Sequence, residues 1–404
     1  MMNTEQAAQE PSDAPLAGLR VVEAGVLLAG PYAGQLLGDL GAEVIKVEMP
    51  SMGDPMRQWF DALWWPIVGR NKKSVELDLR CEAGQAAFKR LVQEADILIE
   101  NFRPGTLEAW GLGYEQLSAL NPGLIMLRTS GFGQTGPYTR RAAYASTGEA
   151  MGGLRYVVGF PDRPPPRLGL SIGDSLAGLY STVGALAALR ERDRSGRGQV
   201  VDTAIYESVL ACTEAMVPEY TVEGRVRQRM GSTLKGIAPS NVYPTADGEL
   251  IIAANQDTLF PHLCEAMGRP ELASDPRFAT HHARAEHQEL LDGIVADWTR
   301  GFPTAQLQAI LDRHGIVFGA IYRVPDMLED PHFQAREAIV KAPCERGQDF
   351  AMPNVMPRLT RTPGQIRWTG PRLGEHNEEV LAQMLGMNRS EMLAAQGRQE
   401  RERS

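Results

Sequence analysis

The sequence predicts an α/β protein, a Rossmann-like parallel-sheet large domain with a smaller α+β domain. Three observations predict it. Through residue 130, short apolar runs alternate with stretches of helical spacing. Around residue 225 the pattern changes to a hairpin-type β segment followed by helices. From about residue 326 Pro and Arg become frequent, as in "MPNVMPRLTRTPGQ", and the chain is expected to return to the first domain.

The elements follow in order. "LRVVEA" reads as a strand, and "PYAGQLLGDLG" as a helix with Pro at its start and Gly at its end. "AEVIKVE" is a strand, "AGQAAFKRLVQEA" a helix, and "DILIE" and "GLIMLRTS" are strands. Strand–helix–strand repetition places ligands near the carboxyl ends of a parallel sheet. "SLAGLYSTVGALAALRER" reads as a long helix, and "SGRGQVVDTAIYESVL" as a turn, a strand and a helix. "YPTADGELIIAANQ" is a hairpin, with helices at "LFPHLCEAMG" and "TAQLQAILDRHG". The expected division is a flexible extension over 1–15, large domain over 16–224, small domain over 225–325, return over 326–390 and charged tail over 391–404.

With 404 residues, 43% of them hydrophobic, the chain can bury a large core. A net charge of −9 argues against general binding to nucleic acid or an anionic membrane. No apolar run is expected to be long enough to span a bilayer. Cys81, Cys212, Cys264 and Cys344 are far apart, which suits reduced thiols in a cytoplasm and no zinc site. "MMNTEQAAQEPSDAP" has no apolar core of a secretory signal.

Several residues could carry chemistry. Gly25, Gly30 and Gly34 with Glu48 imitate a dinucleotide-binding unit, but the spacing is not GxGxxG, so tight helix–strand packing is the better reading. Lys72, Lys73, Arg80, Arg103, Arg140 and Arg141 read as a solvated surface unless a local anion site gathers them. Asn101 directly follows "DILIE", where a side chain is presented at the sheet's carboxyl edge. His281, His282 and His287 lack HExxH spacing and read as a surface helix. "DRPPPR" reads as a stiff linker. Asp174, before the long apolar helix, reads as an N-cap. A helix N-terminus also favours an ionised carboxylate, which is a nucleophile.

Taken in order, "LAGLRVVEAGVLLAGPYAGQLLGDLGAEVIKVE", "GDPMRQW", "NKKSVELDL", "ADILIENFRPG", "SGFGQTGP", "GDSLAGLY", "GRGQVVDTAIYESV" and "PRLGEHNEEVL" resemble the family III coenzyme A-transferases, the CaiB/BaiF group. The resemblance covers about residues 16–385. It implies an interlocked-ring homodimer and CoA transfer between an acyl-CoA and a carboxylic acid, with CoA as co-substrate and no metal or other cofactor. It makes Asp174 the nucleophile, passing through mixed anhydrides and an aspartyl-CoA thioester. The family's CoA pocket maps onto Leu28, Ala29, Leu77, Asp78, Leu79, Arg80, Asn101, Phe102 and Arg103, and Tyr144 and Trp59 match aromatic positions near the acyl group.

The sequence departs from the formyl-CoA transferases at Leu28, where they carry Gln, at Met49 and at Ala145, and their glycine-rich loop is replaced by "MGSTLKGIAPS". An apolar Leu28 cannot hydrogen-bond a compact acyl group and would leave oxalate uncompensated. The expected acceptor is therefore a C4–C6 dicarboxylate and the expected donor succinyl-CoA. Arg57 and Lys235 are the candidate cations for the second carboxylate. The alternatives are a racemase-type isomerase and a non-catalytic CoA-binding protein. The first is disfavoured because Tyr144 stands where the racemases carry His, and Tyr is a poor base at neutral pH. The second would not require Asp174.

Overall fold

The computed structural model describes residues 14–344 and 349–398. Six strands pair in parallel: β1 (Arg20–Glu23), β2 (Glu43–Glu48), β3 (Lys72–Glu76), β4 (Ile97–Glu100), β5 (Ile125–Ser130) and β6 (Val200–Ala204). Their order is β3-β2-β1-β4-β5-β6. The order reverses between β1 and β4, and such a switch point opens a crevice at the carboxyl ends.

Successive side chains of a strand point to opposite faces, so each strand feeds two cores. Val22, Ile45, Val75, Leu98 and Met126 pack with Phe88 and Leu91 of the Glu82–Gln93 helix. Val21, Val44, Ile97 and Leu127 pack with Leu37 of α1 (Ala29–Asp39) and with Ala185 and Leu189 of the Ile172–Ser195 helix. That last helix is long and apolar enough to cross a bilayer by length and composition, which corrects the expectation that no such run exists. Here it lies against α1, β5 and β6.

The chain divides into two compact units, one of residues 1–154, 167–217 and 335–404, the other of 155–166 and 218–334. The "DRPPPR" run therefore straddles a boundary between units, and it is exposed without helix or strand. The second unit is α+β. An antiparallel sheet of Ser240–Pro244, Glu249–Ala253 and Val317–Ala320 is covered by helices through Tyr243, Phe260, Phe278, Leu291 and Leu311.

The expected extension over 1–15 lies, except for Ala14 and Pro15, outside the described residues, as do 399–404. Residues 391–398 are not a solvated tail. The Arg389–Ala395 helix buries Ala395 in the first core, and the Ala395 carbonyl accepts from the Asp78 amide at 2.9 Å.

The reading of Lys72 and Lys73 as solvated is also corrected. They open β3, and Lys72 is fully buried. Its Nζ donates to Glu23 Oε2 at 2.7 Å and to the Pro31 carbonyl at 2.7 Å. Lys46 Nζ meets Glu23 Oε1 at 2.9 Å, Asp54 Oδ2 at 2.8 Å and the Gly25 carbonyl at 2.8 Å. Burial disfavours the charge on Lys46, but Asp54, Glu23 and Glu48 outweigh it and raise its pKa. Lys72 is pushed down to about 8 by burial, with repulsion from Lys46 adding to it against the pull of Glu23.

Removing one partner from a buried ion pair strands the other charge. Lys46→Met is expected to lower the unfolding free energy in urea by about 3–5 kcal/mol. Lys73, partly exposed between Glu43 and Glu379, is the comparison, and Lys73→Met is expected to cost about 1 kcal/mol or less. Equal losses would show that the buried network has no special weight.

Candidate active site

The switch point is fastened by charges the fold buries. The turn after β1, Gly25–Leu28, is held from two sides. Asn101, at the end of β4, accepts from the Val26 amide and donates to the Val26 carbonyl, both at 2.8 Å. Asp54 Oδ1 accepts from the Leu27 amide at 3.2 Å and from the Met56 amide at 2.9 Å. Leu27 takes φ of 65°, a left-handed conformation that a branched side chain adopts only when its surroundings enforce it. Gly34 is required in the second turn of α1, because a Cβ there would stand 1.8 Å from Glu23 Oε2. The glycines of this segment thus serve close packing, and Glu48 pairs with Arg57 instead of marking a ribose site.

Asp174 is the third residue of its helix. Ser171 is the N-cap, and no side chain caps the helix there, so the N-cap reading of Asp174 is corrected. Its carboxyl is half-buried. Desolvation, with the charge of buried Glu149 beside it, pushes its pKa up to about 6. Glu149 is fixed by accepting from the Gly173 amide at 3.3 Å. Gly178 allows the helix to approach α1, since a Cβ would meet Tyr32 Cδ1 at 2.8 Å and the Ala29 carbonyl at 3.0 Å. The first turns of the Asp174 helix therefore lie against the start of α1, where Leu28 and Ala29 stand.

A narrow apolar slot of 240 Å³ opens at the carboxyl ends of β1, β2 and β3. Of the residues expected to bind CoA, Leu77, Asp78, Leu79, Arg80 and Phe102 line it. Arg80 is exposed and forked onto Asp78 at 2.8 Å. Phe102 meets Trp110 edge-on, with ring centroids 5.5 Å apart. Asn101 and Arg103 are not in the slot lining. Asn101 is the turn clamp, and Arg103 is an exposed neighbour. Leu28 faces a different cavity, shared with Ser175. Tyr144 and Trp59 are exposed, Tyr144 by 71% and Trp59 by 45%.

Arg57, expected as a cation for the second carboxylate, is held within the fold. It forks onto Glu48 at 2.6 and 2.8 Å, donates to the Pro371 carbonyl and stacks 3.7 Å over Trp65. Lys235 is exposed in the second unit. Arg140 and Arg141 are exposed as expected, Arg141 lying 3.7 Å over the Tyr138 ring. His281 and His287 rings face the backbone carbonyls of Asn255 and Ala283.

Sequence reasoning missed Lys46, Asp54, Glu149 and Trp110. Lys46 lies in the strand run "VIKVE", where a charge at an inward strand position was the available signal.

Residues 16–377 match the profile of CoA-transferase family III. The succinyl-CoA–D-citramalate CoA-transferase of Chloroflexus aurantiacus is 56% identical over 391 residues, covering 95% of this chain and 97% of its own. The beta subunit of the succinyl-CoA–L-malate CoA-transferase from the same organism is 43% identical, covering 92% and 95% respectively. A CaiB/BaiF family protein from Brucella suis, solved by crystallography, superposes with a TM-score of 0.83 at 37% identity, covering 92% of this chain and all of its own. The parallel sheet, the switch-point slot and the matched sequence together make this chain a member of CoA-transferase family III.

Proposed function

We propose that the enzyme moves CoA from succinyl-CoA to a C4–C6 dicarboxylic acid in the cytoplasm, with Asp174 as the nucleophile. The observation that carries the mechanism is a carboxyl held half-dry, with its pKa raised to about 6, beside the start of α1. It is ionised at neutral pH yet poorly solvated, and poor solvation makes a carboxylate more nucleophilic and shields an anhydride from water. The substrate class is supported by the succinyl-CoA–citramalate and succinyl-CoA–malate relatives and by the apolar Leu28.

The steps balance without a metal, a redox group or any cofactor beyond CoA as co-substrate. The Asp174 carboxylate attacks the donor thioester carbonyl, and the C–S bond breaks to give a mixed anhydride and CoA thiolate. The thiolate attacks the aspartyl carbonyl, releasing the donor acid and leaving an aspartyl-CoA thioester. The acceptor carboxylate attacks that carbonyl and expels the thiolate. The thiolate then attacks the acceptor carbonyl, releasing the new acyl-CoA and restoring Asp174. Each step exchanges one acyl bond for another, so the overall equilibrium stays near balance.

An interlocked-ring homodimer belongs to the same reading. The Ile172–Ser195 helix exposes Val183 and Leu186, with Val183 62% exposed. Apolar residues at that spacing form one face, and a second copy would cover it. Light scattering is expected to give twice the chain mass of 44.2 kDa. A stable, active monomer would refute the dimer.

Asp174→Ala is expected to abolish turnover while CoA still binds. In wild type, kcat/KM should rise with pH through about 6 and then level as the carboxylate forms. Stability has the opposite sign. The folded pKa lies above the ordinary 3.8, so this group removes stability as pH rises through about 6. Asp174→Asn should then melt no lower than wild type at pH 8 while being inactive. A variant at full activity would sink the mechanism.

An acceptor panel with succinyl-CoA as donor should favour citramalate, malate, itaconate or glutarate over oxalate, formate and carnitine. Best activity with oxalate or formate would overturn the Leu28 argument.

A further inference from the structure

With Arg57 committed to Glu48, the second carboxylate of a dicarboxylate needs another cation. Leu28 indicates where to find it. Its side chain lines a cavity of 810 Å³ in the parallel-sheet unit. Ser175, the residue after Asp174, and Leu179, one turn further along the same helix, line the same cavity, and Trp64 adds an apolar wall. Arg336 and Arg358 also line it.

The charges in this cavity are not equivalent. Arg70 reaches it too, but its guanidinium is fixed by Asp39 at 2.6 Å and the Pro353 carbonyl at 2.8 Å. Arg358 donates to the Arg336 carbonyl at 3.2 Å and shares a 3.2 Å ion pair with Glu337. Among the described residues the Arg336 guanidinium has no ion-pair partner. Arg336 and Arg358 against Glu337 leave one positive charge in excess. The cavity thus combines apolar walls next to the nucleophile's helix with an unneutralised cation.

We propose that this cavity receives the dicarboxylate acceptor, with Arg336 as the specificity-determining cation for the carboxylate that does not react and Arg358 assisting it. The inference rests on the dicarboxylate reading above and names the residues that impose it. The reacting carboxylate lies toward Asp174, the methylenes lie along Leu28 and Leu179, and the far carboxylate meets the guanidinium. A planar fork of N–H donors suits a carboxylate better than a point charge does. A monocarboxylate of the same length would leave Arg336 without a counter-ion.

The test compares kcat/KM for glutarate and for valerate, at saturating succinyl-CoA, in wild type, Arg336→Met, Arg336→Lys, Arg358→Met and Lys235→Met. The glutarate-to-valerate ratio is expected to fall about tenfold or more in Arg336→Met, through the KM for glutarate, and to recover in part in Arg336→Lys. Arg358→Met should give a smaller fall. Melting curves check folding, and if Arg336→Met is poorly folded, Arg336→Gln supplies the same ratio. A ratio unchanged within twofold in the Arg336 variants, or a fall confined to Lys235→Met, overturns the proposal. Absence of any preference for glutarate in wild type would overturn the dicarboxylate reading instead, so the two failures are distinguishable.

Discussion

The buried meeting of Glu23 with Lys46 and Lys72 organises this fold. One carboxylate at the end of β1 accepts from two ammonium groups, at 2.9 and 2.7 Å, all three essentially without solvent. Each lysine also binds a backbone carbonyl, Gly25 for Lys46 and Pro31 for Lys72. The network therefore ties β1, β2 and β3 to the turn and to the first residues of α1. Asp54 extends it to the Leu27 amide. Isolated buried charges are costly, but here every one is paired and hydrogen-bonded. The return is a turn in a strained conformation that holds Leu28 at the start of α1.

In the proposed mechanism that rigidity matters, because Asp174 is a group whose ionised form is itself unfavourable there. Asp174 lies near Glu149, two acids with one dry environment, and its raised pKa records the cost of ionising it there. Sites of this kind commonly cost their proteins stability. The surrounding helices tolerate it because the close approach at Gly178 locks the Asp174 helix onto α1. Asp174 and Ser175 thereby stand on one helix, with Leu28 at the start of its neighbour.

The alternating fold was legible in the sequence because β1, β2, β4 and β5 are apolar runs between well-punctuated helices. β3 was not legible, since "KKSVE" places charges where a buried strand ordinarily has aliphatics. Only the tertiary pairing of Lys72 with Glu23 explains it. Asp174 was singled out by resemblance, but its position inside the helix was not legible, because Ser171 and Asp174 are both acceptable caps. The commitment of Arg57 was hidden for a similar reason. A sequence shows a cation but not that Glu48, nine residues away, already holds it. Arg336 and Arg358 lie far from Leu28 in sequence, and only the cavity brings them together.

The central claim is that Asp174 becomes covalently acylated. Incubating the enzyme with succinyl-CoA and no acceptor, quenching with hydroxylamine or borohydride and mapping peptides by mass spectrometry tests it most directly. The expected result is a hydroxamate or a reduced side chain at Asp174, dependent on succinyl-CoA and missing when Asp174→Asn is used. An unmodified Asp174 peptide in an enzyme that still transfers CoA would contradict it.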